Sequence, residues 1–315
     1  MPQDVDLPIP FPSRISLDHE RARDTHLAWP RSYGLLPTDS AAERHARGDY
    51  AGLAARFHPP ATGTELDLGV DQQSWFFLFD DTFDGPPGHD PQGVRCTVRS
   101  LLDVLAGGAA TDPMLCAFAD LRRRSCEGMS RQWRQRSARA WREYFTGHIA
   151  EAVGRRDRTR YSVRQYFGIR RDTIGVTPTL DLGERVRHAE VPDLMHRHPA
   201  LAALRTLACD LVIIDNDIAS VEKECAAGEL NNAVLLLRHE RDCSTATAVA
   251  LLREEVAALL GRFERDRLRL TSGRAYLALP GPDRARVDGY LADGVQAVIR
   301  GAFDWHRQSR RYVLR

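Results

Sequence analysis

The 315-residue sequence lacks the features that mark several large classes of protein. It has no run of eighteen apolar residues, and its opening Met1-Pro2-Gln3-Asp4 runs into polar and acidic residues, so neither a membrane span nor a signal peptide is expected. The six cysteines form no CxxC pair, which favours free thiols in a reducing cytosol. The net charge is +1 without a basic face, so we expect no nucleic-acid partner.

Strand signals are also nearly absent, because β-branched runs are few and no Asn-Gly pair occurs. Helical periodicity recurs instead, with short breaks, and predicts an all-α fold. The predicted helices span about 40–57, 92–107, 113–153, 158–174, 199–226, 229–238, 243–272 and 283–311, with one more starting near Thr64. Residues 1–38 are rich in proline and aromatic residues and predict an extended segment that packs over one helical domain of residues 39–315.

The most informative stretch is FFLFDDTFD, residues 76–84, where bulky apolar side chains lead into three carboxylates. Read as a helix, it places Asp80 and Asp84 one turn apart, with Phe76 and Phe77 on the same face one turn earlier. Carboxylates at the C-terminal end of a helix oppose its macrodipole, so a cation is expected there. Clustered oxygen ligands favour Mg²⁺ or Mn²⁺, although the motif alone is also compatible with a solvated helix end.

A second set of oxygen-bearing side chains follows an apolar stripe in residues 199–226. Asn216, Ser220 and Glu224 are spaced i, i+4, i+8, so an amide, a hydroxyl and a carboxylate share one helical edge and suit one Mg²⁺. Taken alone, this edge is also compatible with exposed polar surface. The apolar residues one or two turns earlier on that side are Cys209, Val212 and Ile213.

Groups that suit a diphosphate accompany the two acidic motifs. Lysine occurs once, as Lys223, and the other 43 of the 44 basic residues are arginine. Arg170 lies at the end of a predicted helix that carries aromatic residues, just before the helix-breaking run 173–178. Arg311-Tyr312 lies near the C-terminus. Guanidinium forks, one ammonium and a phenol are suited to diphosphate oxygens already bridged by Mg²⁺.

Together these motifs resemble those of bacterial class I terpene synthases, also called terpene cyclases. The run Asp80–Asp84 resembles the aspartate-rich motif DDxxD, and Asn216–Glu224 (NDIASVEKE) resembles the NSE motif. Arg170 is similar in position to the family's diphosphate-sensing arginine, and Arg311-Tyr312 is similar to its C-terminal RY pair. Four ordered motifs are far more specific than any one of them.

The resemblance implies a single-domain helical bundle around an apolar cavity, and Mg²⁺-dependent ionisation and cyclisation of an isoprenyl diphosphate. Farnesyl diphosphate, the sesquiterpene precursor, is preferred from family frequency alone. Three Mg²⁺ ions are implied, replaceable by Mn²⁺, with the metal ligands Asp80, Asp84, Asn216, Ser220 and Glu224. The implied diphosphate donors are Arg170, Lys223, Arg311 and Tyr312. Catalytic roles are implied for Arg170, Thr173 and Ile174, and a homodimer is expected from the same resemblance.

The expected cavity wall combines the apolar residues near both motifs with one aromatic residue near the C-terminus: Phe76, Phe77, Cys209, Val212, Ile213 and Trp305. Trp75 and Phe79 face elsewhere on their helix and are expected in the core. Two other functions stay open. A prenyl-elongating synthase of similar fold would be expected to carry a second aspartate-rich motif, where this chain has Asn, Ser and Glu. A non-catalytic binding protein would not need intact ligand residues in both motifs.

Overall fold

The computed structural model describes residues 5–312, and all regular secondary structure in that range is helical, as predicted. The α-helices are α1 His19–Thr25, α2 Ala28–Ser32, α3 Asp39–Arg47, α4 Tyr50–Phe57, α5 Gly63–Asp81, α6 Pro91–Leu105, α7 Pro113–Cys126, α8 Arg131–Arg156, α9 Val163–Thr173, α10 Val176–Val186, α11 Asp193–His196, α12 Pro199–Ala226, α13 Ala233–Arg241, α14 Thr245–Thr271, α15 Arg274–Leu277, α16 Gly281–Tyr290 and α17 Ala297–Gln308. A 3₁₀ turn, Pro86–His89, follows α5, and a π-helical segment, Leu291–Gln296, joins α16 to α17. None of the helices in the described range is both long and apolar enough to cross a bilayer.

The N-terminal segment is not extended throughout, contrary to the prediction. Residues 5–18 form no helix, but α1 and α2 follow. Residues 19–25, which form α1, contain neither proline nor glycine to prevent a helical turn. The segment packs on the rest of the chain: Trp29 Nε1 donates a hydrogen bond of 2.9 Å to Asp120 of α7. The division of the chain into this N-terminal segment and one domain of residues 39–315 stays a prediction.

Two predicted helices are interrupted by residues in the left-handed region. Asp49 (φ 51°) separates α3 from α4, and Gly128 (φ 71°) separates α7 from α8. Gly175 (φ 75°) follows the predicted helix 158–174 and separates α9 from α10, a helix that was not predicted. The run 173–178, predicted to break a helix throughout, therefore breaks it only at 174–175, because Pro178 lies in the first turn of α10, where proline is tolerated. The C-terminal helix ends at Gln308, three residues before its predicted end.

Helix α12 carries the second acidic motif and is enclosed by α9, α10, α13, α14 and α17. Every residue from Leu207 to Val221 is buried. Its bounds agree with the prediction, because Pro199 suits the first turn and Gly228 (φ 77°) follows the end. A second, aromatic core supports α5, and in it Trp75 and Phe79 are fully buried, as predicted, with ring centroids 4.8 Å apart.

Candidate active site

Two adjoining cavities lie between α5, α8, α9, α12 and the C-terminal segment. The outer cavity, about 390 Å³, is lined mostly by charged and polar side chains. The inner cavity, about 80 Å³, is lined mostly by aliphatic and aromatic side chains. The residues that line both cavities are Phe77, Asp80, Arg170, Asn216 and Tyr312. Members of all four sequence motifs therefore meet at the boundary between a polar and an apolar space.

The first acidic motif is only partly helical, so the predicted one-turn spacing of Asp80 and Asp84 is wrong. Helix α5 ends at Asp81, and Phe83 turns inward, where only 8% of it is exposed. The main-chain nitrogens of residues 82–84 bond to carbonyls three residues earlier, so the chain tightens and leaves the α-helix before Gly85, which takes φ 72°. Asp84 is exposed beyond the helix but still lines the outer cavity together with Asp80.

Asp80 lies at the boundary of the two cavities, beside a tyrosine and a histidine of α8. Tyr144 donates a hydrogen bond of 3.1 Å to its Oδ1, and His148 Nε2 lies 4.0 Å from the same oxygen. Burial raises the pKa of Asp80 to about 7, although Arg170 nearby acts in the opposite direction. A bound cation would favour the ionised carboxylate, as expected of a metal ligand.

The three predicted ligands of α12 differ in their present partners. Asn216 Oδ1 accepts a hydrogen bond of 3.2 Å from Arg170 Nη2. Ser220 is fully buried and lines neither cavity, and although its Oγ makes no hydrogen bond of ordinary length among residues 5–312, the hydroxyl lies close enough to Glu224 to lower the pKa of that carboxyl. Glu224 lines the outer cavity and accepts a hydrogen bond of 3.1 Å from Asn232, while burial raises the pKa of its carboxyl.

This donor set fits a divalent cation that prefers oxygen. The Ser220 hydroxyl, which makes no hydrogen bond of ordinary length in the described range, acts on the neighbouring Glu224 carboxyl, so these two oxygen groups can serve one cation together. Within the described range no three His, Cys, Asp or Glu side chains gather as a preformed metal cage. The ligands predicted on α12 differ from such a cage, because Asn216 and Ser220 offer neutral oxygens, which suit Mg²⁺.

The C-terminal segment connects the two motif-bearing helices. Arg311 forms two hydrogen bonds with Asp81, one of them 3.2 Å long, and its guanidinium lies 5.2 Å from the centre of the Phe77 ring. Tyr312 accepts a hydrogen bond of 2.9 Å from Asn216 Nδ2. The segment therefore spans the cavity entrance from α5 to α12.

The remaining predicted donors and catalytic residues also border the cavities. Lys223 is half-buried on the outer cavity. Thr173 and Ile174, at the break between α9 and α10, line the inner cavity. Thr173 Oγ1 accepts a hydrogen bond of 3.2 Å from Arg170 and donates one of 2.5 Å to Glu151. The break thus links the predicted sensor arginine to the inner cavity.

The predicted cavity wall divides into two groups. Phe76, Phe77, Val212 and Trp305 line the inner cavity. The other two predicted wall residues, Cys209 and Ile213, are buried but do not line either cavity. One helical position rotates a side chain by about 100°, which turns Ile213 away from the direction of Val212 into the core. Cys209 Sγ contacts Thr177 Oγ1 at 3.7 Å instead.

One face of α8 was missed by the sequence reasoning. Tyr144 lines the inner cavity, and His148, Glu151 and Arg155 line the outer one. Burial opposes ionisation of Glu151, but Arg155, His148 and Arg170 together lower the pKa of its carboxyl. These four residues of α8 are spaced i, i+4, i+7, i+11, so a polar stripe at helical period was the available signal.

The comparisons with known proteins agree with this geometry. The model of terpene synthase family 2, C-terminal metal binding, matches residues 72–262. A pentalenene synthase of Streptomyces avermitilis is 51% identical over 99% of this chain and 94% of its own length. A (−)-β-caryophyllene synthase of Saccharothrix espanaensis, described as cyclising (2E,6E)-farnesyl diphosphate, is 42% identical over 99% of this chain and 89% of its own.

Solved structures agree as well. The germacradien-4-ol synthase of Streptomyces citricolor matches with a TM-score of 0.88 at 33% identity, covering 98% of this chain and 100% of that one. The chain therefore belongs to terpene synthase family 2. It is a terpene synthase of the bacterial class I type, and its family uses a divalent metal to act on isoprenyl diphosphates. The resemblance drawn from the motifs is confirmed, and the prenyl-elongating and non-catalytic alternatives are not supported.

Proposed function

We propose that this terpene synthase is a sesquiterpene cyclase that ionises farnesyl diphosphate, cyclises the resulting cation and releases diphosphate. The observation that carries the proposal is the polar boundary of Asp80, Arg170, Asn216 and Tyr312 between the two cavities. A diphosphate held at this boundary leaves the hydrocarbon chain to enter the apolar inner cavity. The relative described as cyclising (2E,6E)-farnesyl diphosphate supports a fifteen-carbon substrate.

The proposed cofactor is three Mg²⁺ ions, with Mn²⁺ as a substitute. Asp80 and Asp84 would hold metal from the side of α5, and Asn216, Ser220 and Glu224 would do so from α12. When bound, these ions supply Lewis-acid stabilisation of the charge that develops on the departing diphosphate.

Four side chains are proposed to bind the diphosphate directly: Arg170, Lys223, Arg311 and Tyr312. Arg170 now donates to Asn216 Oδ1 at 3.2 Å, so a diphosphate that attracts the guanidinium would also free that oxygen. Burial raises the pKa of Tyr312 to about 12, so its phenol keeps its proton at neutral pH and can donate to an anion.

The break between α9 and α10 offers a main-chain dipole to the ionising substrate. Four residues after Ile174 stands Pro178, which has no N–H, so the carbonyl of Ile174 lacks the usual helical donor. Ile174 lines the inner cavity, and Thr173 connects this break to Arg170. A carbonyl oxygen without a helical partner is suited to stabilise positive charge as it forms.

The aromatic wall is proposed to stabilise and shield the carbocation. Phe76, Phe77 and Trp305 border the inner cavity, and each aromatic face contributes about 0.5–2 kcal/mol toward a nearby cation. An enclosed apolar space also excludes water that would quench the cation early. The final proton can pass to the released diphosphate, so no general base of the protein is required.

Incubation with geranyl, farnesyl and geranylgeranyl diphosphate, followed by gas chromatography–mass spectrometry, tests the proposal. We expect cyclic fifteen-carbon products from farnesyl diphosphate, and loss of product when Mg²⁺ is chelated and its return when Mg²⁺ is restored. Asp80→Asn and Glu224→Ala should abolish turnover, whereas Glu254→Ala, an exposed site on α14, should not. Near-normal product from folded Asp80→Asn protein would contradict the assignment. A homodimer stays a prediction.

A further inference from the structure

The side-chain amide of Asn232, in the turn between α12 and α13, forms hydrogen bonds through both its oxygen and its nitrogen. The residue is fully buried, and its Oδ1 accepts hydrogen bonds from the main-chain nitrogens of Val234 (2.9 Å) and Leu235 (3.4 Å), which caps α13. Its Nδ2 donates to the main-chain oxygen of Asp217 at 2.8 Å and to Glu224 Oε2 at 3.1 Å. Both acceptor positions and both donor protons of the amide are therefore engaged.

Capping alone does not require asparagine at position 232. Aspartate and serine cap helices about as well, because the cap needs only an oxygen acceptor. Aspartate has no proton to donate at neutral pH, and serine has one on a shorter side chain. Of these three residues, only asparagine accepts from α13 while it donates twice to α12. Capping of α13 therefore does not explain the Nδ2 group of Asn232, which donates to Glu224.

The turn between α12 and α13 is also held by hydrogen bonds that do not involve the Asn232 side chain. Asp217 Oδ2 accepts a hydrogen bond of 2.6 Å from the main-chain nitrogen of Ala233. The main-chain nitrogen of Glu229 donates a hydrogen bond of 3.0 Å to the main-chain oxygen of Glu224, directly after Gly228, which takes φ 77°. Asn232 therefore meets the Glu224 carboxylate from a direction that the main chain determines.

We propose that Asn232 is a positioning residue that holds Oε2 of Glu224, so that Oε1 faces the outer cavity as a metal ligand. This inference rests on the proposed function, in which Glu224 binds metal. Glutamate has several rotatable bonds, and a hydrogen bond to one oxygen limits the directions in which the other can point. Groups that orient metal ligands change metal affinity by about 10–100-fold when they are removed.

The test uses two variants that keep a capping oxygen, Asn232→Ser and Asn232→Asp. The matched control is Ser244→Ala, which removes the cap of α14: Ser244 Oγ accepts a hydrogen bond of 3.1 Å from the main-chain nitrogen of Thr247, and Ser244 lines neither cavity. Mn²⁺ binding is titrated by electron paramagnetic resonance in the presence of inorganic diphosphate, and thermal unfolding is recorded for each protein. Turnover of farnesyl diphosphate is measured against Mg²⁺ concentration.

We expect the Mn²⁺ dissociation constant of Asn232→Ser to rise about 10-fold or more, with kcat recovering at saturating Mg²⁺. Asn232→Asp should also bind Mn²⁺ more weakly, because the new carboxylate repels Glu224, and it decides the question if the serine variant does not fold. Ser244→Ala should lose thermal stability while keeping the wild-type constant. Wild-type Mn²⁺ binding in the folded Asn232 variants overturns the inference. Failure of the wild-type protein to bind Mn²⁺ with diphosphate would instead overturn the proposed function.

Discussion

Replacing Tyr144 with phenylalanine should weaken metal use while leaving the fold intact. Among residues 5–312 the hydroxyl makes one hydrogen bond, 3.1 Å to Asp80 Oδ1. The ring is 1% exposed and packs against Phe76 and Trp141, with centroids 4.9 and 5.8 Å away, and phenylalanine keeps these contacts. The substitution therefore removes a single donor from the carboxylate that we propose as a metal ligand.

The size of the effect follows from the kind of bond that is lost. A hydrogen bond to a charged group contributes about 1.5–3 kcal/mol, which corresponds to roughly a 10–150-fold change in an equilibrium constant. Although its surroundings raise the pKa of the Asp80 carboxyl, 40% of the side chain is exposed to the cavity, so water can replace the hydroxyl in the metal-free protein. We therefore expect a loss of folding stability of about 1 kcal/mol or less. The apparent Mg²⁺ constant should rise about 10–100-fold.

The assay is diphosphate release from farnesyl diphosphate at a series of Mg²⁺ concentrations, together with urea unfolding. Tyr276→Phe is the matched control, because Tyr276 makes the same type of bond, 2.7 Å to Asp288, on the exposed surface. The control should keep the wild-type Mg²⁺ dependence. The reasoning is refuted if Tyr144→Phe has the wild-type Mg²⁺ constant, or if Tyr276→Phe shifts it equally.

Three further predictions concern stability and substrate binding. Burial lowers the pKa of His58 to about 3, and neither ring nitrogen has a hydrogen-bond partner in the described range. His58 is therefore protonated in the unfolded chain below about pH 6.5 but stays neutral in the folded protein. The free energy of unfolding falls as the pH drops below that value, by about 1.4 kcal/mol at pH 5.5. Urea unfolding between pH 7.5 and 4.5 should show a shallower acid dependence for His58→Leu than for the wild type, and parallel curves would contradict this. Gly175→Ala should lower the free energy of unfolding by about 1–2 kcal/mol, because φ is 75° there, whereas Gly168→Ala, inside α9 with open space around it, should raise it by about 0.5–1 kcal/mol. Equal effects of the two alanines on the urea midpoint would argue against strain at Gly175. Arg311→Lys loses the two-point contact with Asp81 and should raise KM for farnesyl diphosphate about 10-fold in steady-state kinetics, and an unchanged KM would argue against Arg311 as a diphosphate donor.

Local patterns predicted the second acidic motif well. Helix α12 has the predicted bounds, and because its period is regular, the spacing of Asn216, Ser220 and Glu224 places them on one edge. The first motif was predicted less well. Asp84 lies beyond the helix, next to Phe83, which is buried against aromatic rings including His148, whose centroid is 5.3 Å away. That contact joins the turn after α5 to the distant helix α8, so no local pattern contained it.

The sequence by itself determined the helical class, the family and the chemistry of the two motifs, because these depend on residue types at short, regular spacings. Only the tertiary structure decided which surfaces face one another across the cavities. Tyr144 reaches Asp80 across 64 positions, and Arg311 reaches Asp81 across 230. Helical spacing follows from hydrogen bonds within one turn, whereas a cavity forms only where separate helices pack, and that packing depends on the whole core.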